Sequence, residues 1–484
     1  MAHPADAEPI KQRKNGLYPG VSDELAENMK AGWADTELRG LEPVAQSGHT
    51  ADRRARLSAR FPGERLVIPA GNLKTRSNDT EYSFRAAVEY AYLTGNQTED
   101  GVLVMEPDAA GGGHDATLYL LPRSDRENGE FWLDGQGELW VGRRHSLSEA
   151  QQLYGVHCAD VRTVAGELGA ATGPVRVVRG YDAAVEHTLT DKVTAERDTE
   201  LQVFLSEMRL VKDDFEIGEL ASACASTARG FEDVVRVLEK AEATSERYIE
   251  GTFFLRARVE GNDIGYGSIC ASGPHATTLH WVRNDGAVRS GDLLLLDAGV
   301  ETHTLYTADV TRTLPVNGRF TDLQRKIYDA VHEAQEAGIA AVKPGAKYLD
   351  FHQAAQRVLA ARLVEWGLLE GPVERVLELG LQRRWTLHGT GHMLGMDVHD
   401  CATARRESYA EGTLEPGMCL TVEPGLYFQP DDLTVPEEYR GIGIRIEDDI
   451  LVTAEGNRNL SSALPRSSTD VEAWMAGLMA GPTG

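Results

Sequence analysis

The chain is poor in cysteine, in long apolar runs and in positive charge. Its 484 residues include five cysteines, Cys158, Cys224, Cys270, Cys401 and Cys419, an odd number, widely spaced and without a CxxC pair. No disulfide framework and no thiolate zinc site follows from that spacing. Buried free thiols in a reducing compartment are the simplest reading. The longest strongly apolar run, residues 293–296, stops at Asp297, far short of the ~20 residues that cross a bilayer. Residues 1–20 are polar and spotted with proline, with no apolar h-region; no secretory signal is expected, and a cytoplasmic location is. Lys and Arg number 49 against 75 Asp and Glu, a formal net charge of −26. A general binder of phosphate backbones needs a cationic footprint, and an anionic membrane surface demands the same. Neither nucleic acid nor membrane is an expected partner, and the acidity reads as solubility.

Several catalytic signatures are also missing. No GxxxxGK[ST] occurs, which excludes a P-loop, and no GxSxG occurs, which argues against a nucleophile-elbow hydrolase. His332 and Glu333 lack the second histidine of HExxH. Gly265-Tyr-Gly267 lacks the third glycine of a dinucleotide loop and reads as a turn.

What is present is an ordinary globular composition, 42% hydrophobic and 26% charged, long enough for two or three domains. Residues 1–45 read as a polar arm that runs into a short helix over 23–34. Residues 46–209 read as an α/β domain, with strands at 66–69, 101–105, 117–121 and 138–141 and helices at 50–61, 148–154 and 191–208. The boundary falls near 210, where residues 208–217 open a long amphipathic helix. In the remaining 210–484, Thr321 and Gln324 form a capping pattern. The helix after it stops at Lys343-Pro-Gly345, and another helix spans 349–366. Strands are expected at 293–299, 418–428 and 443–452.

Acids and histidines gather on those C-terminal strands. Asp297 ends a buried run, where a carboxylate is costly unless it is paired or metal-bound. Asp309 follows across a loop. His388, His392 and His399 fall within twelve residues, a dense share of the 14 histidines. Glu423 sits in Val-Glu-Pro-Gly and Glu447 in Arg-Ile-Glu-Asp-Asp. Strand alternation puts Arg445 and Glu447 on one face and Ile444 and Ile446 on the other. Two Asp, two Glu and one His form a mostly oxygen ligand set, suited to hard or borderline divalent ions. Paired ions of that kind make a nucleophile from water at neutral pH.

The order Asp297, Asp309, His392, Glu423, Glu447 resembles the dinuclear metal set of the pita-bread metallopeptidases. The surrounding wording is most similar to the aminopeptidase P group. It includes Thr-Leu-His at 278–280, Asp-Val-Thr-Arg-Thr at 309–313, Asp-Val-His-Asp at 397–400, Val-Glu-Pro-Gly-Leu-Tyr at 422–427 and the run 437–449. Upstream, residues 84–95 resemble the creatinase-type N-terminal domain of that group, so the likeness covers about 60–475. It implies an α/β (α+β) protein, a creatinase-type domain followed by a pita-bread catalytic domain. It implies two divalent ions per subunit, Mn²⁺ first, with Co²⁺ or Zn²⁺ as alternatives. Asp297 would chelate one ion and His392 bind the other, Asp309 and Glu447 would bridge, and Glu423 would bind the second ion and take a proton from water. His280 and His399 match histidines beside the scissile carbonyl, and His388 matches one lining the proline pocket. Tyr427 and Arg445 match residues behind the metals, where an arginine holds a ligating carboxylate in place. The implied substrates are peptides beginning X-Pro, and the implied assembly is a homodimer or homotetramer. Prolidase, restricted to X-Pro dipeptides, and a non-catalytic pita-bread module remain the alternatives. Eleven residues separate Asp297 from Asp309, one more than is usual in the family, which places an addition in the loop 299–308.

Overall fold

Short β-branched runs bracketed by glycine and proline build a five-stranded sheet in the first part of the chain. Its strands are β1 (Arg65–Pro69), β2 (Val102–Pro107), β3 (His114–Leu120), β4 (His157–Asp160) and β5 (Val175–Val177), in spatial order β4-β3-β2-β1-β5. β1, β2 and β3 pair antiparallel, while β5 joins β1 and β4 joins β3 in parallel. Leu66, Val67 and Ile68 are fully buried, as expected of a central strand covered on both faces. Val67, Val102 and Val104 pack against Val164, Leu168, Val185 and Leu189 of two short helices. The computed structural model describes residues 21–78, 80–108, 112–133 and 135–480. The opening of the polar arm, residues 1–20, lies outside the described residues. The chain divides into two compact units, Met1–Leu205 and Ser206–Gly484.

Three expectations in this region are corrected. The helix expected over 23–34 is Asp23–Asn28. Residues 138–141 form a helical turn, Glu138–Val141, and not a strand. The Glu138 carboxylate is buried and accepts from the backbone N–H of Ser124 and of Arg144, which curls the segment onto itself between Gly137 and Gly142. The helix Ala195–Met208 closes before the long helix Asp214–Arg236 begins, so residues 209–213 are a connector, and Asp213 caps the second helix.

The second unit carries β6 (Ile269–Ser272), β7 (Leu293–Ala298), β8 (Val310–Pro315), β9 (Cys419–Val422), β10 (Gly425–Phe428), β11 (Ile442–Arg445), β12 (Asp448–Thr453) and β13 (Gly456–Asn459). They form the sheets β8-β7-β6, β9-β12-β13 and β10-β11, all antiparallel. Thr321 caps the helix Asp322–Ala341 with a reciprocal capping box to Gln324. That helix and Asp350–Glu365 put Ile327, Val331, Ala334, Leu359 and Leu363 into one core with Ile444 and Ile446. The alternation expected for 444–447 therefore holds, with the isoleucines turned to the core.

The strands expected over 418–428 and 443–452 are each broken in two. Val422 pairs with Asp448 in one sheet and Gly425 with Arg445 in the other. Between them Glu423-Pro424 faces Ile446-Glu447. Pro424 has no N–H to give to a ladder, so one ribbon ends and the next begins there. The chain thereby drops one glutamate at each break. Among the described residues no helix is long and apolar enough to cross a membrane.

Candidate metal centre

Each acid is delivered by a feature of the ladder. Asp297 stands near the end of β7 opposite Thr311 of β8, so the two side chains share a face. Asp309 lies one residue before β8, across the loop that begins at Gly299. That loop turns through Leu305 at φ 72, and the Tyr306 hydroxyl donates to Glu216 of the long helix at 3.1 Å. Gly299 is required by close approach, since a Cβ there would stand 1.7 Å from the Ala308 carbonyl oxygen. Glu423 and Glu447 come from the two strand breaks. The Glu423 N–H donates to Thr390 O at 2.8 Å, and the Glu447 N–H donates to Thr311 O at 3.1 Å. His392 is held where its own carbonyl accepts from the Thr421 N–H at 2.9 Å.

The side chains converge. His392 Nε2 lies 3.2 Å from Asp309 and 3.7 Å from Glu423. One ligand atom each from Asp309, His392 and Glu447 lie within 4.8 Å of one another. His392 Nδ1 meets Met393 O at 3.1 Å, which turns Nε2 toward the acids. The Arg445 guanidinium is buried, pairs with Asp297, and donates to the Tyr427 hydroxyl at 3.0 Å and to Thr311 Oγ1 at 3.2 Å. Thr311 in turn donates to Glu447 at 2.7 Å. His388 Nε2 meets the Tyr427 hydroxyl at 2.9 Å, and its Nδ1 lies 3.5 Å from Glu423. The exposed ring of His399 stands edge-on to His392, centroids 4.3 Å apart. His280 is on an exposed turn, near enough for its charge to bear on His388 and His399.

Burial makes this cluster resist its own charge. It raises the carboxyl groups of Asp297 and Glu447 above their ordinary range and lifts Glu423 to about 7. For Asp309 burial works in the same sense, but the adjoining His392 ring outweighs it and leaves the carboxyl lowered. Burial also opposes a charged His392, and the Asp309 carboxylate overcomes it, raising the ring to about 9. His388 is pushed down to about 4 by burial and by Arg445. Three buried acids and the partly buried Glu423 around one imidazole and one guanidinium are short of positive charge. A divalent cation would supply it, favouring the ionised carboxylates and the neutral His392 ring, and the oxygen-rich donor set suits Mn²⁺, Co²⁺ or Zn²⁺. The residues present fit the group.

Some partners have no counterpart among the expected site residues. The Tyr266 hydroxyl donates to Asp297 at 2.7 Å. Its segment, Gly265-Tyr-Gly267, reads as a turn in sequence, yet a Cβ on Gly265 would sit 1.8 Å from Thr307 Oγ1. The glycine lets the chain pass close enough to aim the tyrosine. Thr311 lies in Asp-Val-Thr-Arg-Thr at 309–313, and its register opposite Asp297 is what marks it. Asp449 accepts from the Asp309 N–H at 3.1 Å and from the Cys224 thiol at 3.2 Å.

A buried, acid-rich centre held between antiparallel ribbons defines a metal-dependent hydrolase. Residues 218–454 match the sequence model of metallopeptidase family M24, and residues 50–172 that of the aminopeptidase P N-terminal domain. The chain is 83% identical over 471 residues to Xaa-Pro aminopeptidase 1 of Streptomyces coelicolor, covering 97% of this chain and 96% of that one. It is 34% identical to the Xaa-Pro aminopeptidase of Escherichia coli, covering 90% and 99%. The solved structure of Pseudomonas aeruginosa aminopeptidase PepP superposes with a TM-score of 0.80 at 32% identity, covering 91% and 100%. The chain belongs to metallopeptidase family M24, with the aminopeptidase P N-terminal domain in front.

Proposed function

We propose that this protein releases the N-terminal residue from peptides whose second residue is proline. The observation that carries the reading is the convergence of Asp297, Asp309, His392, Glu423 and Glu447 in one buried centre, beside a His388–Tyr427 pair. An X-Pro bond is a tertiary amide with no N–H. A peptidase that grips that N–H loses a contact, so a dedicated site must grip the ring and the free amine.

Two divalent ions, Mn²⁺ first and Co²⁺ or Zn²⁺ as alternatives, would supply Lewis acidity and a water of lowered pKa. Asp297 would hold one, His392 and Glu423 the other, with Asp309 and Glu447 bridging. Glu423, lifted by burial to about 7, is poised to accept the proton of the attacking water near neutral pH. His280 and His399 donate to the carbonyl oxygen as it gains charge, or carry the proton to the leaving nitrogen. His388, kept neutral by burial, lines the proline pocket. Arg445 braces Asp297 and so is not free to clamp a substrate carboxylate. The five cysteines are all free and buried, which supports a reducing, cytoplasmic setting. Assembly as a homodimer or homotetramer belongs to the same reading.

Hydrolysis of X-Pro, X-Pro-Y and X-Ala-Y peptides by metal-reconstituted protein tests it. X-Pro-Y should be cleaved, and alanine in place of proline should lower kcat/KM by about 10–200-fold, the worth of a missing apolar group of that size. Chelation should abolish turnover. Full activity after thorough metal stripping overturns the metal reading. Cleavage of X-Pro with none of X-Pro-Y moves the activity to a prolidase.

A further inference from the structure

Glu246 opens the helix Glu246–Glu260 and is fully buried. A buried carboxylate is stable only where its lone pairs are met. Here four groups meet them. Oε1 accepts from the Ser272 N–H at 2.8 Å and lies 2.8 Å from His275 Nδ1; Oε2 accepts from the Trp281 Nε1–H at 2.8 Å and from the Gly286 N–H at 2.7 Å. All four belong to the loop 272–286, and His280 stands in the middle of it.

The rest of the loop is tied to the same point. The Glu246 N–H donates to Gly286 O at 2.9 Å. The His275 and Trp281 rings stack with centroids 3.8 Å apart. A Cβ on Gly286 would fall 2.3 Å from His275 Cε1, so only glycine lets the loop close this tightly. Asn284 holds the returning limb, accepting from the Cys270 N–H and donating to Ser268 O, each at 2.9 Å. His280 is exposed, whereas the neighbouring Trp281 is buried. The place of the histidine is therefore inherited from the tryptophan and the loop backbone, and not from packing of its own ring.

We propose that Glu246 is a positioning residue for the reaction, fixing through Trp281 and the loop 272–286 where His280 stands at the metal centre. The proposal rests on the reading of His280 given above. Glu246→Gln disturbs the arrangement in either amide orientation, because the new NH₂ must face a backbone N–H, that of Ser272 on one side or of Gly286 on the other.

The test is a double-mutant cycle of Glu246→Gln and His280→Ala in metal-loaded protein, with kcat, KM, metal content and Tm for each variant. Glu246→Gln should lower kcat by about 10–100-fold, the scale of a misplaced catalytic group, with metal content unchanged. In the His280→Ala background the same substitution should change kcat less than about twofold, because residues acting as a unit are not additive. The fall in Tm should persist in both backgrounds. Trp281→Phe deletes one of the four donors and should show a smaller loss with the same pattern; it reads the cycle even where Glu246→Gln does not fold. Losses in kcat that multiply overturn the proposal and leave the His280 reading standing. A wild-type kcat in His280→Ala overturns both.

Discussion

If Glu447 holds metal and His280 meets substrate, removing each should separate binding of metal from handling of substrate. Glu447 is buried, shares a cluster with Asp309 and His392, and accepts from Thr311. Glu447→Ala should cost at least about 10-fold in metal affinity, read as lost Mn²⁺ by elemental analysis, whereas His280→Ala should keep its metal. Equal loss in the two variants would contradict the assigned ligands. Tyr266→Phe makes a finer cut. It removes the hydroxyl that donates to Asp297 while leaving Arg445 paired to the same carboxylate. Metal affinity should fall by about 10-fold, the low end for a supporting hydrogen bond, in a metal titration. The acids were legible in sequence because a charge beside Leu-Leu-Leu-Leu or within Val-Glu-Pro-Gly is too costly to bury idly. Tyr266 and Thr311 were not. A neutral hydroxyl carries no such signal, and its use depends on register and on the close approach at Gly265.

At the scale of elements, the breaks at Glu423-Pro424 and Ile446-Glu447 decide where the site is. Period-two patterning shows which side chains face inward, but not that a ribbon changes partner between 422 and 425. Only Pro424 hinted at the change. Residues 138–141 misled for a related reason. Leu139, Trp140 and Val141 have the composition of a strand, but the tertiary bonds of Glu138 override it and leave all three exposed. The helix Leu147–Tyr154 shows the opposite case, a local signal reinforced by distant contacts. Its Ser146–Glu149 capping box is formed, and the buried Glu149 carboxylate also accepts from the Leu38 N–H at 2.6 Å and from Arg123 at 2.6 Å, and it pairs with Arg143. Burial alone would raise its pKa; the backbone N–H groups and the two arginines prevail and hold it at about 2. A carboxyl lowered on folding contributes stability that is present above its unfolded value and is lost as pH falls from about 4.5 toward 2. Glu149→Gln should therefore destabilise by about 1.5–3 kcal/mol at pH 7, the range for hydrogen bonds to a charged group. The gap in Tm from the parent should narrow as pH falls below 4. A gap that does not change between pH 7 and pH 3 would mean that the carboxylate charge is not what holds this segment.

The whole molecule carries a formal net charge of −26, and that figure sets the terms on which copies can associate. Like charges of this size repel over about 30 Å at 0.01 M salt but over only about 8 Å at physiological ionic strength. Any assembly must make contacts strong enough to offset that repulsion. The first unit exposes Leu139, Trp140 and Val141 in succession, each more than half accessible, apolar area that an assembly could bury. Chain length and charge were legible from composition alone; this patch was not, because its residues read as a buried strand. If the chain forms a homodimer or homotetramer, light scattering at micromolar concentration in 0.15 M salt should give a multiple of 52.8 kDa. Lowering the salt to 0.01 M should shift the population toward smaller species, and Trp140→Glu should do so at either salt by adding charge and removing apolar area. A 52.8 kDa species at every salt would refute assembly. An oligomer indifferent to Trp140→Glu would place its contacts elsewhere on the surface.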